Sequence, residues 1–215
     1  MKLSEFELLV FDWDGTLSDS TARIIHSAQI ACEELKVPVP NEETLRQYVG
    51  HGLDDIMREL FPQVLPHQIA QLIDRYRYHY FSNPQQEYLF KDVISTLETL
   101  HARGFLLAVA TNKSRQGLQL ALEQTGLMQM FVATRTADES GSKPDPQILE
   151  DLMEIAAVSA PKTVMIGDSA VDLQLAENAG VSSIAIHHDG PGKVGISDYK
   201  PLAIVNDMKS LLDLL

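Results

Sequence analysis

One cysteine and one tryptophan occur in 215 residues. A single thiol, Cys32, cannot close an internal disulfide and gives no framework for a thiolate metal cluster, so it reads as a small buried hydrophobe. Basic residues are scarce as well: 17 Lys plus Arg stand against 30 Asp plus Glu, a net charge of −13. Such a chain lacks the positive field that non-specific nucleic-acid binding needs, and it lacks a basic face for anionic lipid. Neither nucleic acid nor membrane is expected as a partner. No apolar stretch reaches the roughly 18 residues of a membrane span. The start, MKLSEFELLVFDWDG, carries Glu5 and Glu7 where a secretory leader would be positive, and its apolar run is short. A cytoplasmic location is the expectation. Hydrophobic residues at 45% and charged residues at 22% exclude disordered and fibrous classes.

What is present is an alternation of apolar runs and helical patterns. Residues 7–11 (ELLVF), 105–110 (FLLAVA), 162–166 (KTVMI), 182–186 (SSIAI) and 203–205 (AIV) read as strands. Helical patterns occupy 92–103, 115–126, the stretch ending at Gly180, and 207–214. Continuous apolar strands alternating with helices predict an α/β fold with a doubly wound parallel sheet, whose ligands bind at the carboxyl ends of the strands. Residues 18–83 interrupt the alternation with helical stretches at 19–36, 42–48, 53–60 and 67–82. They predict an inserted α-helical subdomain whose return is marked by Asn83-Pro84. The domains expected are residues 1–15 with 87–215 as a core, and 16–86 as the insertion. RYRYHYF at 75–81 reads as a helix with a partly buried aromatic face.

Four polar clusters fall at strand ends or on loops that can reach them. Asp12-Trp13-Asp14-Gly15-Thr16 follows the first strand. Two carboxylates this close repel, which a divalent cation relieves, and hard oxygen ligands suit magnesium. Thr111-Asn112-Lys113-Ser114 follows the second run; a hydroxyl and backbone N–H groups at a strand-to-helix junction make an anion site. Gly141-Ser142-Lys143-Pro144-Asp145-Pro146 stiffens a loop that carries one lysine. Gly167-Asp168-Ser169-Ala170-Val171-Asp172 offers two acids at i and i+4. Each cluster alone is compatible with an ordinary turn or cap. Together they supply carboxylates for a metal, a hydroxyl and a cation for a phosphoryl group, and a carboxylate nucleophile, the parts that phosphoryl transfer needs. Chemistry alone does not say which of Asp12 and Asp14 attacks.

FDWDGTLSDS (11–20), ATNKS (110–114), SKPDP (142–146) and IGDSAVDLQLAENAG (166–180) resemble the motifs of the haloacid dehalogenase superfamily. The similarity covers essentially the whole chain and points to the subgroup with a helical cap after the first strand, nearest to phosphoglycolate phosphatase-like enzymes. The resemblance implies a Rossmann-like core and a magnesium-dependent phosphatase acting on a small phosphate ester. It implies that Asp12 forms an aspartyl-phosphate, with Asp14 as acid and base. It further implies that Thr111 and the Asn112 backbone hold phosphoryl oxygens and that Lys143 neutralises charge. By the same resemblance, Mg2+ is held by Asp12, the Asp14 carbonyl and Asp168, with Asp172 in support. Dehalogenases of the superfamily lack the second acid, present here as Asp14, which disfavours that activity.

Within the insertion, Gly50-His51-Gly52 is the loop expected to approach the site, with His51 as a contact to the leaving group. His187-His188, after SSIAI, stand where adjacent residues could edge the site, and read first as a solvated loop. The alternatives are a sugar-phosphate mutase, a pyrophosphatase, and a phosphate-binding domain without turnover. The sequence is compatible with a monomer or a dimer.

Overall fold

The computed structural model describes residues 2–82, 87–188 and 195–215. Its centre is a six-stranded parallel sheet in the order β3-β2-β1-β4-β5-β6. The strands are β1 (Leu8–Phe11), β2 (Leu106–Thr111), β3 (Ala133–Thr136), β4 (Thr163–Gly167), β5 (Ser182–Ile186) and β6 (Ala203–Val205). β1 is buried on both faces and hydrogen-bonds to β2 on one side and β4 on the other, so Leu9 lies level with Leu107 and Val164. Side chains alternate between the faces. Leu9, Phe11, Leu107, Val109, Val164 and Ile166 enter one core cluster, and Leu8, Val10, Ala108, Ala110 and Met165 the other.

Helices cover both faces. α5 (Val93–Ala102) and α6 (Arg115–Thr125) pack on the first cluster through residues such as Leu97, Leu100, Leu118 and Leu122. α8 (Gln147–Ala156) and α9 (Ala170–Asn178) pack on the second through Ile148, Leu149, Leu152 and Leu175. Between β2 and α8, the four-residue α7 (Ala137–Ser140) follows β3 directly. The strand order reverses at β1, with β2 and β3 on one side and β4 to β6 on the other. The carboxyl ends of β1, β2 and β4 therefore meet at the switch point of the sheet.

Four helices lie between β1 and α5 along the chain: α1 (Thr21–Glu34), α2 (Glu42–Tyr48), α3 (Leu53–Leu60) and α4 (Pro66–Ser82). They bury clusters of their own, one formed by Ala31, Cys32, Met57, Phe61, Ile69, Leu72 and Ile73, the other by Ile25, Ala28 and Leu45. The Asn41 side chain accepts the Thr44 amide at 2.8 Å and starts α2. The chain leaves and re-enters the sheet region through one antiparallel pairing. The Asp19 amide donates to the Tyr88 carbonyl at 2.8 Å, and the Phe90 amide to the Leu17 carbonyl at 3.0 Å.

Several elements differ from the sequence expectation, the short helix α7 among them. β3 is a sixth strand where none was expected: ATRT has no apolar run, because an edge strand presents part of its surface to water. α8 is likewise an addition. The final helix expected at 207–214 is a 3-10 helix, Lys209–Leu214, begun by Asp207, whose carboxylate accepts the Ser210 amide and hydroxyl at 2.7 Å each. The segment is short, and the tighter turn lets Leu211, Leu212 and Leu214 pack on the core. The turn expected at Asn83-Pro84, and with it the end of the insertion at residue 86, lies outside the described residues.

Candidate active site

Each of the three central strands delivers a polar group from its last residue or the one after. Asp12 follows β1 and keeps its amide on the Ile166 carbonyl at 2.9 Å, so the side chain is held at the sheet edge. Thr111 ends β2 and is buried. Asp168 follows β4. The loop before α8 brings Lys143 to the same place, fully buried, with its Nζ 2.6 Å from Asp12 Oδ1 and 2.7 Å from Asp172 Oδ1. Asp172 reaches back from the first turn of α9, where its Oδ2 also accepts the Ser169 amide at 3.1 Å and hydroxyl at 2.6 Å. The structure thus brings together Asp12, Asp14, Thr111, Asn112, Lys143, Asp168 and Asp172.

The donor set suits a hard divalent cation. Asp12, Asp168 and Asp172 each offer a carboxylate oxygen, all within 4.8 Å of one another, and all three are buried. Asp12 Oδ2 is buried and has no hydrogen-bond partner among the described residues. Burial pushes the Asp12 carboxyl up to about 8, against the pull of Lys143, and the neighbouring Asp172 and Asp168 raise it further. A cation bound there would relieve that repulsion. Asp172 has both oxygens engaged by Lys143 and Ser169, Asp168 accepts the Thr16 hydroxyl at 3.2 Å, and Asp12 Oδ2 is the oxygen with no hydrogen-bond partner among the described residues. Gly15 makes room for this cluster: at its φ of +91° a Cβ would collide with the Asp168 carboxylate.

Asp14 sits apart from that cluster. Its carboxylate takes Lys113 Nζ at 2.8 and 3.1 Å and the Ser20 hydroxyl at 2.6 Å. Burial alone would raise it, but the charge and hydrogen bond of Lys113, the Ser20 hydroxyl and the charge of Lys143 together outweigh burial and hold Asp14 below the usual carboxylate value. Lys113 Nζ also donates to the Tyr80 hydroxyl, 2.7 Å away on α4.

The insertion touches the site at its loop. Asn112 Nδ2 donates to the Gly50 carbonyl at 3.0 Å, and its Oδ1 accepts the Lys143 amide at 2.8 Å. A Cβ on Gly52 would lie 2.7 Å from Ser142 Oγ, so the loop lies directly on the Lys143 loop. His51 is half-buried, edge-on to Tyr48 at 5.6 Å, and lines a cavity of about 290 Å³. That cavity extends from Asp14, Thr111 and Asn112 up between α1, α2 and α3.

Sequence reasoning placed His187-His188 on a solvated loop, and the structure corrects this. His188 stacks on Phe90 at 3.6 Å and donates from Nε2 to the Thr16 carbonyl at 2.7 Å, while His187 Nε2 is buried. Several contacts had no sequence signal at all. Glu87 accepts the Trp13 indole N–H at 2.9 Å and the Ser18 hydroxyl at 2.6 Å, and pairs with Arg23 at 3.4 Å. The grip of Lys113 on Asp14 lay inside a recognised cluster, but its partner is 99 residues away in sequence.

The family model for haloacid dehalogenase-like hydrolases matches residues 9–186. A phosphoglycolate phosphatase of Aliivibrio fischeri is 32% identical over 98% of this chain and 97% of its own length. The pyrophosphatase PpaX of Halalkalibacterium halodurans is 27% identical over 98% of this chain and 97% of its own. A crystal structure described as a predicted phosphoglycolate phosphatase from Haemophilus somnus superposes with a TM-score of 0.87 at 24% identity, covering 98% of both chains. With its motifs gathered at the switch point of a parallel sheet and the family match spanning most of its length, the chain belongs to the haloacid dehalogenase-like hydrolases.

Proposed function

We propose that this hydrolase is a Mg2+-dependent phosphatase that cleaves a small phosphate ester through an aspartyl-phosphate on Asp12. The observation that carries the reading is the pair of environments given to two nearby carboxylates. Asp12 keeps one oxygen unengaged beside Lys143 and two further acids. Asp14 is ionised and fixed by Lys113 and Ser20.

In this reading residues 1–15 and 87–215 form the catalytic core and residues 16–86 the cap over the leaving group. Asp12 Oδ2 attacks phosphorus. Thr111 and the Asn112 amide receive phosphoryl oxygens, and Lys143 offsets the charge on Asp12 and the phosphoryl group. Asp14, ionised in the free enzyme, would take up the proton that a monoanionic ester brings, deliver it to the departing oxygen, and then, ionised again, take a proton from the water that opens the acyl phosphate. Asp12, the Asp14 carbonyl and Asp168 would hold Mg2+, with Asp172 steadying Lys143. The metal would supply electrostatic neutralisation of the phosphoryl oxygens. The enzyme would work in the cytoplasm on a dissolved metabolite, with neither nucleic acid nor membrane as partner. Among the described residues no helix is long and apolar enough to cross a membrane. A pyrophosphatase is the second reading, favoured by the relative of that name.

The test is hydrolysis of p-nitrophenyl phosphate by wild type and Asp12→Asn, each with Mg2+ and with EDTA. Turnover should need both the metal and Asp12, and the variant should lose several orders of magnitude in rate. Near-normal turnover by a folded Asp12→Asn protein would overturn the proposal. Inorganic pyrophosphate in the same assay decides the second reading.

A further inference from the structure

The space above the reacting groups is more apolar than a small acid phosphate requires. Its floor is Asp14, Thr111 and Asn112, so it is continuous with the candidate phosphoryl site. Its walls are aliphatic and aromatic: Ile24 from α1, Leu45 and Tyr48 from α2, Ile56 and Met57 from α3, and Phe81 from α4. Its volume of about 290 Å³ stands at the lower end for organic-ligand pockets.

Charge decides what such a space can take. The described acids lining it are Asp14, Asp54 and Asp138, the lysine and arginine are Lys113 and Arg77, and the imidazole of His51 lines it as well. Lys113 is committed to both oxygens of Asp14 and to the Tyr80 hydroxyl. Arg77, Asp54 and Asp138 are all exposed. A two-carbon leaving group bearing a carboxylate would leave the aliphatic wall unfilled and would find the one buried cation among the described lining residues, Lys113, already paired with Asp14.

Resting on the phosphatase reading, we propose that the physiological leaving group is uncharged and carries an apolar body of about four carbons or more, laid against Ile24, Leu45, Ile56 and Met57. Burial against that wall discriminates between substrates whose phosphoryl ends are identical, since apolar contact scales with the area removed from water. The substrate class is thus a monoester of an apolar or ring-bearing alcohol, and glycolate phosphate is a poor member of it.

The experiment measures kcat/KM with Mg2+ for ethyl, butyl and hexyl phosphate and for phosphoglycolate, in wild type and in Ile24→Ser and Ile56→Ser. In wild type, kcat/KM should rise about fourfold per methylene from ethyl to butyl phosphate, the factor that burial of one CH2 implies. Phosphoglycolate should fall at least about tenfold below butyl phosphate. Both variants should reduce the butyl-to-ethyl ratio, with unfolding curves showing that they remain folded. A flat alkyl series, a preference for phosphoglycolate, or an unchanged ratio in both variants would overturn the inference while leaving the phosphatase reading standing. Absence of turnover on every ester would remove the phosphatase reading, and this inference with it.

Discussion

Replacing Glu87 should destabilise the protein more than any contact visible in the local sequence suggests. The side chain is 3% exposed and serves three donors. Trp13 Nε1 and Ser18 Oγ share one oxygen, at 2.9 and 2.6 Å, and Arg23 approaches the other at 3.4 Å. In Glu87→Ala the indole N–H loses its buried acceptor, at about 1–3 kcal/mol, while the Ser18 hydroxyl loses its shorter bond but keeps the Tyr88 carbonyl at 3.3 Å. Arg23 loses its carboxylate but keeps the Tyr80 carbonyl at 2.6 Å and the Tyr80 ring at 4.1 Å, which limits that part of the loss. The three effects share one site and do not add fully, so the net cost should be ~3–5 kcal/mol, the range for breaking a buried ion pair. Glu87→Gln retains an acceptor oxygen for the indole and the hydroxyl and should cost ~1–2 kcal/mol. Trp13 is the only tryptophan, and it is fully buried, so its fluorescence reads this position directly during urea unfolding. The order of stability should be wild type, Gln, Ala. An alanine variant within ~0.5 kcal/mol of wild type would refute the reasoning, because that is the scale of an ordinary surface change.

The cluster of Asp12, Asp168 and Asp172 around one lysine predicts that Mg2+ raises the thermal midpoint of wild type. Asp12→Asn should be at least as stable as wild type in EDTA, since one of the mutually repelling acids is gone; differential scanning fluorimetry checks both. Gly52→Ala should raise KM for p-nitrophenyl phosphate several-fold with little change in the urea midpoint, because the added Cβ, 2.7 Å from Ser142 Oγ, pushes the loop off the Lys143 segment. An unchanged KM would mean that the close approach does not matter for closure. His51→Ala should alter the ratio of kcat/KM between the best ester of a substrate panel and p-nitrophenyl phosphate, by about 1–3 kcal/mol of transition-state binding. An unchanged ratio would show that this loop does not read the leaving group.

The buried strands were legible because each is a short apolar run with a polar cluster behind it. LLVF before Asp12 and TVMIG before Asp168 announce both a strand and the carboxylate at its end. The four helices of the insertion were legible from periodicity to within two or three residues. β3 was not, because an edge strand such as ATRT carries Arg135 and two threonines and shows no burial pattern. The polar clusters that meet around Asp12 were legible as groups. Their pairing was not: Lys113 could have faced solvent or phosphate, and only the fold turns it to Asp14 and Tyr80. The Trp13–Glu87 bond had no local signal at all, since hydrogen bonds between residues 74 apart leave no periodicity.

The pairing of Asp19 with Tyr88 and of Leu17 with Phe90 has a topological consequence. The chain departs and returns through neighbouring backbone, so everything between hangs from two adjacent points. To the sheet, that excursion is a closed loop whose length enters only logarithmically. Shortening it from about 70 residues to about four would change the closure entropy by only ~2.5 kcal/mol. Large differences in what is carried there are therefore cheap for the sheet to accommodate. Residues beyond the ribbon can be exchanged, lengthened or trimmed while Asp12, Thr111 and Asp168 stay at the ends of β1, β2 and β4. A lineage built on this plan can graft new excursions onto an unchanged cluster of side chains at the strand ends.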